Sequence, residues 1–575
     1  MIFMFHSTNR DHKRNIEKSF AVAIIVLLEF SLVFLFSTAN QTEQIDELIR
    51  RRIESAGVPP DIIVGNERIL ASIKLPQFYE RRTFQPAWCD PQGPNRLVHD
   101  LIDAIQNAVS EGLRPQDYHL IRIETTLSEI QQNKNIKHQS NAEWLADLEL
   151  LCTDAFLVYG AHLLAGKVNP ETTDSDWLAN KREGDLAKIL EEALITKTIK
   201  RSLERLLPDH PGYIRLKTAL SRFRVISTQG GWPNVPEGEN LQKGDSVERV
   251  AALRHRLNAS GFENLRVDTI QSFFDEALES AIISFQRIHG LDADGVVGPA
   301  TLAELNVDVK ERIQQIEVNM ERWRWLPQKL GDRYILVNIA NYELDVIEGG
   351  RNIMTMRIVV GKPFRKTPVF SDMVTYLVFN PYWTVPRTIA TKDVLPAVRN
   401  DVNYLVERKI RVLQGWGTDA IEVDPASIDW SNVPAVGLPY RFRQDPCPQN
   451  ALGRIKFMFP NKFEIYLHDT PSRDLFSKTE RAFSSGCIRI ENPVALAAHL
   501  LRGDSRWTQK QIIETIDSGV EETVRLPEPI PIHLLYWTTW ADEDGTIQFR
   551  RDIYGRDKRL LKALEETSPP ADVNR

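Results

Sequence analysis

The pattern of apolar and polar positions divides the chain into a helical first part, a short helical middle and a final part rich in strands. Over residues 45–224, apolar residues recur every three or four positions, as at Leu148, Leu151 and Ala155. This period predicts amphipathic helices. We therefore predict a helical domain over residues 41–235.

The middle part begins after a linker rich in glycine and proline, Gly230–Gly238. Beyond it, one helical face carries Val250, Leu253 and Leu257, and a second helical pattern ends at Gly290. This predicts a compact helical module over residues 241–306. An apolar helical stripe over residues 307–330 predicts a connecting helix to the next domain.

Strand patterns begin at Tyr334 and continue to the end of the chain. Gly349-Gly350 separates two β-like runs, which predicts a hairpin. We predict a mainly-β domain over residues 331–505, completed by the C-terminal extension 506–575. Residues 386–453 form a long insertion rich in Trp, Pro and Arg, placed directly before the next predicted strand, and such an insertion is typical of a lid.

One stretch in the β-rich part combines a strand end with a glycine turn. Apolar residues alternate along Phe463–Leu467, which predicts a half-buried strand that ends at His468. After a polar loop, Ser484–Cys487 leads into the apolar run Ile488–Ile490. Asn492 and the proline after it are typical of a helix start.

These residue types suggest thiol chemistry. A neighbouring imidazole can lower the pKa of a thiol and make it a nucleophile, so we pair Cys487 with His468. Gly486 permits a close backbone approach, so N–H groups near Cys487 are expected to face a developing oxyanion. Arg489 is two residues beyond Cys487, so on a strand it projects to the same side and is placed to hold a carboxylate.

Length, charge and composition narrow the class of protein. A chain of 575 residues requires several domains. Its net charge of −7 argues against a nucleic-acid binder. The four cysteines contain no C-x-x-C pair, so no zinc site is predicted. No metal or cofactor is indicated.

The amino end predicts export across the inner membrane. Basic residues precede an apolar run, Phe20–Phe36, that only Glu29 and Ser31 interrupt. Ser37–Ala39 offers a signal-peptidase site. Residues 1–40 are thus either a cleaved signal peptide or an uncleaved membrane anchor, and the sequence leaves both interpretations open.

The order His468, Ser484, then Ser-Gly-Cys-x-Arg resembles the active-site signature of the L,D-transpeptidases, which cross-link bacterial peptidoglycan through a cysteine acyl-enzyme. Many members carry histidine where this chain has Ser485, and the departure matches a long multidomain Gram-negative subgroup. The glycine pattern of residues 244–305 resembles a three-helix peptidoglycan-binding module. Phe84–Trp88 and Asp154–Leu157 resemble the helical scaffold domain of the same subgroup.

The resemblance implies an α+β multidomain protein with a mainly-β catalytic domain, a lid insertion, a helical scaffold domain and a peptidoglycan-binding module. It implies that Cys487 is the nucleophile, His468 the base and the Gly486 backbone part of the oxyanion site. The side chains implied in substrate binding are those of Arg489, Ser484, Ser485, Tyr466, Trp383 and Tyr382. For Tyr382 and Trp383, packing in the core fits the sequence equally well.

The implied partners are peptidoglycan stem peptides and glycan strands in the periplasm of a Gram-negative bacterium, together with the inner membrane if the amino-terminal segment is uncleaved. A donor tetrapeptide would lose its terminal D-Ala, and an amine of a second stem would form the cross-link. The same acyl-enzyme would also serve hydrolysis or attachment of a protein. A non-catalytic peptidoglycan-binding scaffold is the alternative from a different class.

The remaining cysteines give one further expectation. The family resemblance puts Cys89 and Cys152 in one domain, so they are the one plausible disulfide pair, and two separate buried thiols fit as well. A bridge between Cys447 and Cys487 would silence the enzyme. We therefore predict that both of these thiols are free.

Overall fold

The computed structural model describes residues 44–90, 93–132, 138–178, 182–262, 272–415 and 420–566. The predicted signal or anchor segment lies outside these residues. The described chain forms two compact units, one with residues 44–169 and 183–207, the other with residues 170–182 and 208–565. The α+β multidomain class predicted from the sequence is confirmed.

The first unit is built from helices around one long buried helix, His138–Ala165. Its segment Ala142–Ala165 is the one described helix long and apolar enough to cross a membrane, but 89% of its most apolar window is buried inside the protein. It is therefore the core helix of a folded domain. The other described helices of this unit are 44–54, Lys74–Arg81, Arg96–Gln106, Leu120–Gln132, Leu186–Thr196 and Ile199–Glu204. It also contains 3-10 turns at Asn107–Glu111 and Pro115–Tyr118. Two pairs of two-residue antiparallel strands complete it, Ile63–Val64 with Glu67–Arg68 and Cys89–Asp90 with Gly93–Pro94.

A buried carboxylate holds another segment of this unit against the core helix. Glu149 lies on the core helix and accepts hydrogen bonds from the backbone N–H groups of Ala87, Trp88 and Cys89 at 2.6 to 2.8 Å. The Tyr79 hydroxyl donates a further bond at 2.8 Å. These four donors replace the water that a carboxylate loses on burial.

The second unit begins with helices and contains the short module. The sequence analysis placed helix Pro211–Thr228 in the first helical domain. In the structure this helix belongs to the second unit and contacts helix Val309–Arg324, with an ion pair of 2.6 Å between Arg224 and Glu317. The module has helices Glu248–Ala259, Glu276–Ile288 and Pro299–Leu305 around a small apolar core. These helices lie where the sequence predicts them.

A nine-stranded sheet forms the body of the second unit. In chain order its strands are β1 Arg333–Asn338, β2 Glu343–Glu348, β3 Arg351–Gly361, β4 Phe370–Phe379, β5 Ile455–Met458, β6 Leu467–His468, β7 Ala482–Ser484, β8 Ile488–Ile490 and β9 Glu522–Leu535. Their spatial order is β7-β3-β8-β6-β5-β4-β9-β1-β2, and β2 also pairs with β3. The sheet therefore closes on itself.

The C-terminal extension supplies β9, which lies between β4 and β1. A hairpin of Thr539–Ala541 and Ile547–Phe549 follows, and then helix Arg556–Glu565, which the sequence does not predict. Helices Pro493–Leu501 and Gln509–Ser518 cover the segment between β8 and β9. The remaining short helices of this unit are Pro170–Thr173 and the 3-10 turn Arg473–Ser477.

Residues 386–453 form a small structure with its own core. Short strands in the order Ile421–Val423, Ile410–Gln414, Tyr440–Gln444 and Trp383–Thr384 make a four-stranded sheet. Its helical segments are Arg387–Ile389, Ala390–Val394, Leu395–Asn400, Asn403–Glu407 and Pro425–Ser427. Leu395, Leu405, Val412 and Phe442 are among the fully buried residues between them. The insertion therefore folds around apolar residues of its own.

Candidate active site

The segment before His468 has no regular strand structure up to Tyr466, so the strand predicted over Phe463–Leu467 is wrong in its first part. Only Leu467 and His468 are extended in the sheet. Glu464 has a left-handed φ of 55°, and the Asn461 side chain accepts hydrogen bonds from the N–H groups of Phe463 and Ile465. These local bonds replace ladder bonds and end the alternation.

Parallel pairing brings the predicted residues to one face of the sheet. β6 and β8 pair in the register Leu467 with Ile488 and His468 with Arg489. Side chains alternate along a strand and paired residues share a face, so His468 and Arg489 lie on one face. Cys487 is two residues before Arg489 and shares that face, opposite the buried Ile488.

The turn before Cys487 is fixed by hydrogen bonds. The Ser484 hydroxyl donates to the carbonyl of Cys487 at 2.5 Å and accepts from the N–H of Gly486 at 3.1 Å. Thr367 donates to the Gly486 carbonyl at 2.8 Å. Gly486 has a φ of 125°, where other residues are strained. Ser484 therefore shapes the turn.

This arrangement changes the expectation for the oxyanion site. The Gly486 N–H is already engaged by Ser484, so it is not a free donor. The Cys487 N–H has no acceptor among the described residues. The backbone donor that remains near the thiol is thus that of Cys487 itself.

Burial and Tyr466 act in opposite directions on the pKa of the Cys487 thiol. The Cys487 thiol faces the carbonyl oxygen of Glu464 at 4.0 Å. The hydroxyl and the backbone N–H of Tyr466 lower the thiol pKa, together with the charges of Lys456 and Arg489. Burial is the larger effect and raises the pKa of Cys487 above its usual value. The net direction is therefore opposite to the lowered thiol pKa that the sequence predicted.

His468 is buried and neutral. Burial lowers its pKa to about 3, and the nearby charges of Arg489 and Lys456 act in the same direction. Its Nδ1 donates to the carbonyl oxygen of Asp469 at 2.5 Å, which leaves Nε2 as the acceptor nitrogen. In the described part of the chain, no hydrogen bond joins this ring to the Cys487 thiol.

Two cations on this face have no carboxylate within ion-pair distance among the described residues. The Nε atom of Arg489 is also buried without a hydrogen-bond partner. Lys456 pairs with His468 across β5 and β6, and its Nζ lies 3.8 Å from the centre of the Tyr466 ring. Our sequence reasoning missed Lys456. The alternation Ile455-Lys456-Phe457 was the available signal, because it places the lysine opposite two buried side chains.

A cavity of about 860 Å³ opens over this face. His468, Cys487 and Arg489 line it, together with the predicted residues Tyr466, Ser484, Ser485, Gly486 and Trp383. Tyr382 does not line it, and its ring instead packs under Arg443. The sequence analysis placed both aromatic side chains in the groove, and of the two only Trp383 lies there.

The insertion contributes part of the cavity wall. Ile389, Lys392, Tyr404 and Arg408 belong to it and line the cavity. Arg365, another lining residue, donates to the Ser485 hydroxyl at 2.9 Å and forms an ion pair with Asp393 of the insertion at 2.5 Å. Ser485 is therefore tied to the insertion by a single arginine.

All four cysteines are free thiols. Cys89 and Cys152 are fully buried in the first unit, and burial raises the pKa of both. The Cys89 thiol faces the carbonyl oxygen of Leu145 at 3.9 Å. Cys447 and Cys487 are partly exposed.

Comparisons with known proteins assign the domains. Residues 332–513 match the L,D-transpeptidase catalytic domain, residues 246–305 a putative peptidoglycan binding domain and residues 74–220 a scaffold domain. A putative L,D-transpeptidase of Haemophilus influenzae is 37% identical over 247 residues, which are 43% of this chain and 49% of that protein. The match thus spans about half the length of that relative.

Two weaker similarities carry no argument about function. Epoxide hydrolase 1 of Sus scrofa is 29% identical over 100 residues, which are 17% of this chain and 21% of that protein. An L,D-transpeptidase structure from Xylanimonas cellulosilytica aligns with 52% of this chain and 99% of that chain, at 16% identity and a TM-score of 0.17. The three domain matches thus give this chain an L,D-transpeptidase catalytic domain over residues 332–513, preceded by a scaffold domain and a putative peptidoglycan binding domain.

Proposed function

We propose that this protein is an L,D-transpeptidase that forms peptidoglycan cross-links through a thioester on Cys487. The observation that carries the proposal is the unpaired guanidinium of Arg489 beside the Cys487 thiol in one cavity. A half-buried cation without a carboxylate partner favours an anionic ligand. A stem peptide supplies carboxylates next to the carbonyl that the thiol would attack.

In the proposed reaction, Nε2 of His468 takes the thiol proton as Cys487 attacks the carbonyl carbon of the third residue in a donor tetrapeptide. The carbonyl oxygen becomes an oxyanion, and the N–H of Cys487 is the free backbone donor near it. The C–N bond to the terminal D-Ala then breaks, and the His468 proton passes to the leaving amine. The product is a thioester on Cys487.

An amine of a second stem then attacks the thioester and displaces the thiolate. The proton that this amine loses on forming the amide passes through Nε2 of His468 to the thiolate, which restores the thiol. Since the pKa of the thiol is raised and that of the imidazole is lowered, a separated thiolate and imidazolium are disfavoured, and we propose that proton transfer accompanies the attack. The hydrogen bond between them is expected to form when substrate closes the site. Water or a protein amine as acceptor would use the same thioester.

The peptidoglycan-binding domain supports a site of action at the cell wall, and we propose the periplasm as the compartment. A non-catalytic scaffold would have the same binding domain. However, it would have no use for a cavity that brings together the Cys487 thiol, the His468 imidazole and the Arg489 guanidinium.

Covalent labelling tests the proposal. Incubation with a carbapenem, followed by mass spectrometry of the intact protein, should add the mass of one carbapenem to the wild-type chain. Cys487→Ala should remain unmodified, and Cys447→Ala, which removes the other partly exposed thiol, should be labelled as the wild type is. Labelling of Cys487→Ala would contradict the assignment.

Product analysis separates the acceptors. The enzyme is incubated with muropeptides that carry tetrapeptide stems, and the products are analysed by chromatography and mass spectrometry. Free D-Ala together with dimeric muropeptides supports transpeptidation. Free D-Ala with tripeptide stems alone would identify a hydrolase instead.

A further inference from the structure

A small cavity lies within the second unit, where three parts of its chain meet. It leaves about 10 Å³ for the centre of a water-sized sphere, which is room for one water molecule or one small ion. Segment 173–177, the end of helix Val309–Arg324 and helix Arg556–Glu565 form its walls. Three arginines line it, Arg322, Arg556 and Arg559. We call it the arginine cavity.

Unused hydrogen-bond donors line the arginine cavity. Arg322 is 1% exposed, and its Nη1 forms an ion pair of 2.7 Å with Asp557. Its Nε and Nη2 atoms have no hydrogen-bond partner among the described residues. These two atoms form the edge of a guanidinium that binds anions through two parallel N–H bonds. Nε1 of Trp325, a residue 2% exposed, also lacks a partner there. The two side chains thus offer three donors.

A second buried arginine lies close to Arg322. The guanidinium groups of Arg322 and Arg556 both lie over the rings of Trp177 and Tyr536, with 5.0 to 5.7 Å between each guanidinium carbon and each ring centre. Such contacts involve the face of the guanidinium, whereas its N–H bonds lie in its plane. Arg556 is 3% exposed. Two buried cations therefore repel each other at this cavity.

The carboxylates nearby are already bonded. Asp174, the one carboxylate among the described lining residues, forms ion pairs with Arg556 at 2.8 Å and Arg559 at 3.0 Å. Asp552 accepts hydrogen bonds from the Tyr536 hydroxyl at 2.7 Å and from the N–H of Arg556 at 2.8 Å. With three arginines and one carboxylate in its lining, the arginine cavity favours an anion.

We propose that the arginine cavity binds one chloride ion. The ion accepts hydrogen bonds from Nε and Nη2 of Arg322 and from Nε1 of Trp325, and it reduces the repulsion between Arg322 and Arg556. Sulfate, phosphate and carboxylate groups are too large for a space of this size, whereas chloride is only slightly larger than water. A water molecule would leave one of the three donors unpaired, because its oxygen accepts two hydrogen bonds.

The proposed ion lies close to the structure that supports the Cys487 turn. Nη1 and Nη2 of Arg556 donate to the carbonyl oxygen of Thr367 at 3.4 and 3.3 Å. The Thr367 hydroxyl in turn donates to the Gly486 carbonyl at 2.8 Å. Chloride is thus a structural ion that stabilises the second unit. This role does not depend on the proposed reaction.

Calorimetric melting of the full chain tests the site. The protein is prepared without chloride and is titrated with sodium chloride against sodium gluconate, at constant total ionic strength. Gluconate is too large for the arginine cavity, so only chloride should raise the melting temperature, by about 2 °C and with saturation in the millimolar range. Equal melting temperatures in the two salts would overturn the site.

Three variants locate the effect. Trp325→Phe keeps an aromatic ring and removes one donor, so half the shift should require at least about tenfold more chloride, as expected for one hydrogen bond to a charged group. Arg322→Lys keeps a cation for Asp557 but has no Nε–H donor, and it should abolish the shift. Trp323→Phe is the matched control, because Trp323 is also buried with an unpartnered Nε1 in the described chain but does not line the cavity. It should respond as the wild type does, and an equal response of Trp325→Phe and Trp323→Phe would overturn the site.

Bromide locates the ion without any substitution. In crystals of the wild-type protein grown in sodium bromide, anomalous scattering should show a bromide ion beside Nε and Nη2 of Arg322. Bromide found elsewhere in the crystal, but not in the arginine cavity, would assign the cavity to water and overturn the proposal.

Discussion

Replacing Arg489 with methionine should raise stability and lower activity. In the free protein, the Arg489 guanidinium has no carboxylate partner and its Nε atom has no hydrogen bond within the described chain. Burial lowers the pKa of this group. An unsatisfied buried polar group costs about 1 to 3 kcal/mol, so a methionine of similar length should increase the free energy of unfolding by about 1 kcal/mol.

The effect on acylation should have the opposite sign. A hydrogen bond to a charged group contributes about 1.5 to 3 kcal/mol, and each 1.36 kcal/mol is a factor of ten in rate. Arg489→Met should therefore slow acylation by a tetrapeptide stem by about 10- to 150-fold. Alkylation of Cys487 by iodoacetamide, which has no carboxylate, should change much less.

The two measurements are guanidinium chloride unfolding and time-resolved mass spectrometry of acylation and alkylation. Arg481→Met is a control for stability, because Arg481 is also buried but donates to several carbonyl groups. That variant should lose stability. If Arg489→Met is less stable than the wild type and is acylated at the wild-type rate, then Arg489 is a structural residue and the reasoning is refuted.

Other residues give further tests. Lys456→Met should shift the pH profile of Cys487 alkylation to higher pH, because the lysine charge lowers the thiol pKa, and an unchanged profile would exclude this role. Hydrogen exchange over residues 386–453 should slow when a carbapenem occupies Cys487, and equal protection with and without ligand would show a rigid part of the fold. Non-reducing peptide mapping should find Cys447 and Cys487 unbridged in active protein, and a bridged peptide at full activity would contradict this. His119 lies in the first unit, with Glu67 at 3.0 Å from its Nδ1 and Asp154 at 2.7 Å from its Nε2. Burial lowers the pKa of His119, but these two carboxylates outweigh burial and raise the pKa to about 9. The protonated ring should therefore add about 3 kcal/mol of stability below pH 6.5, its usual pKa, and this stability is lost as the pH rises through 9; a difference from His119→Gln that does not shrink over this range would contradict the assignment.

The parts of the fold that depend on local periodicity could be predicted from the sequence. The core helix of the first unit, the three helices of the binding domain and the hairpin at Gly349-Gly350 all follow from spacing and turn residues. The closure of the sheet did not follow, because pairing of β2 with β3 and insertion of β9 between β4 and β1 depend on contacts far apart in the chain.

The candidate site shows a similar division. The family signature in the sequence predicted that His468, Cys487 and Arg489 lie together, as they do in the structure. It missed Lys456, since the pairing of β5 with β6 is needed to place that lysine beside the others. The strand predicted before His468 was too long. The alternation of apolar residues suggested a strand there, but the side-chain oxygen of Asn461 accepts hydrogen bonds from the backbone of this segment and prevents regular strand pairing.

The insertion has a consequence for how this protein can be altered. Its entry and exit strands are neighbours, with Thr384 opposite Arg443, and its core is made of its own residues. A segment with adjacent ends and a separate core can be lengthened, shortened or exchanged without altering the register of the sheet that carries it. If the proposed function holds, grafting a different insertion should change which stem peptide is accepted, while Cys487 and His468 stay in place.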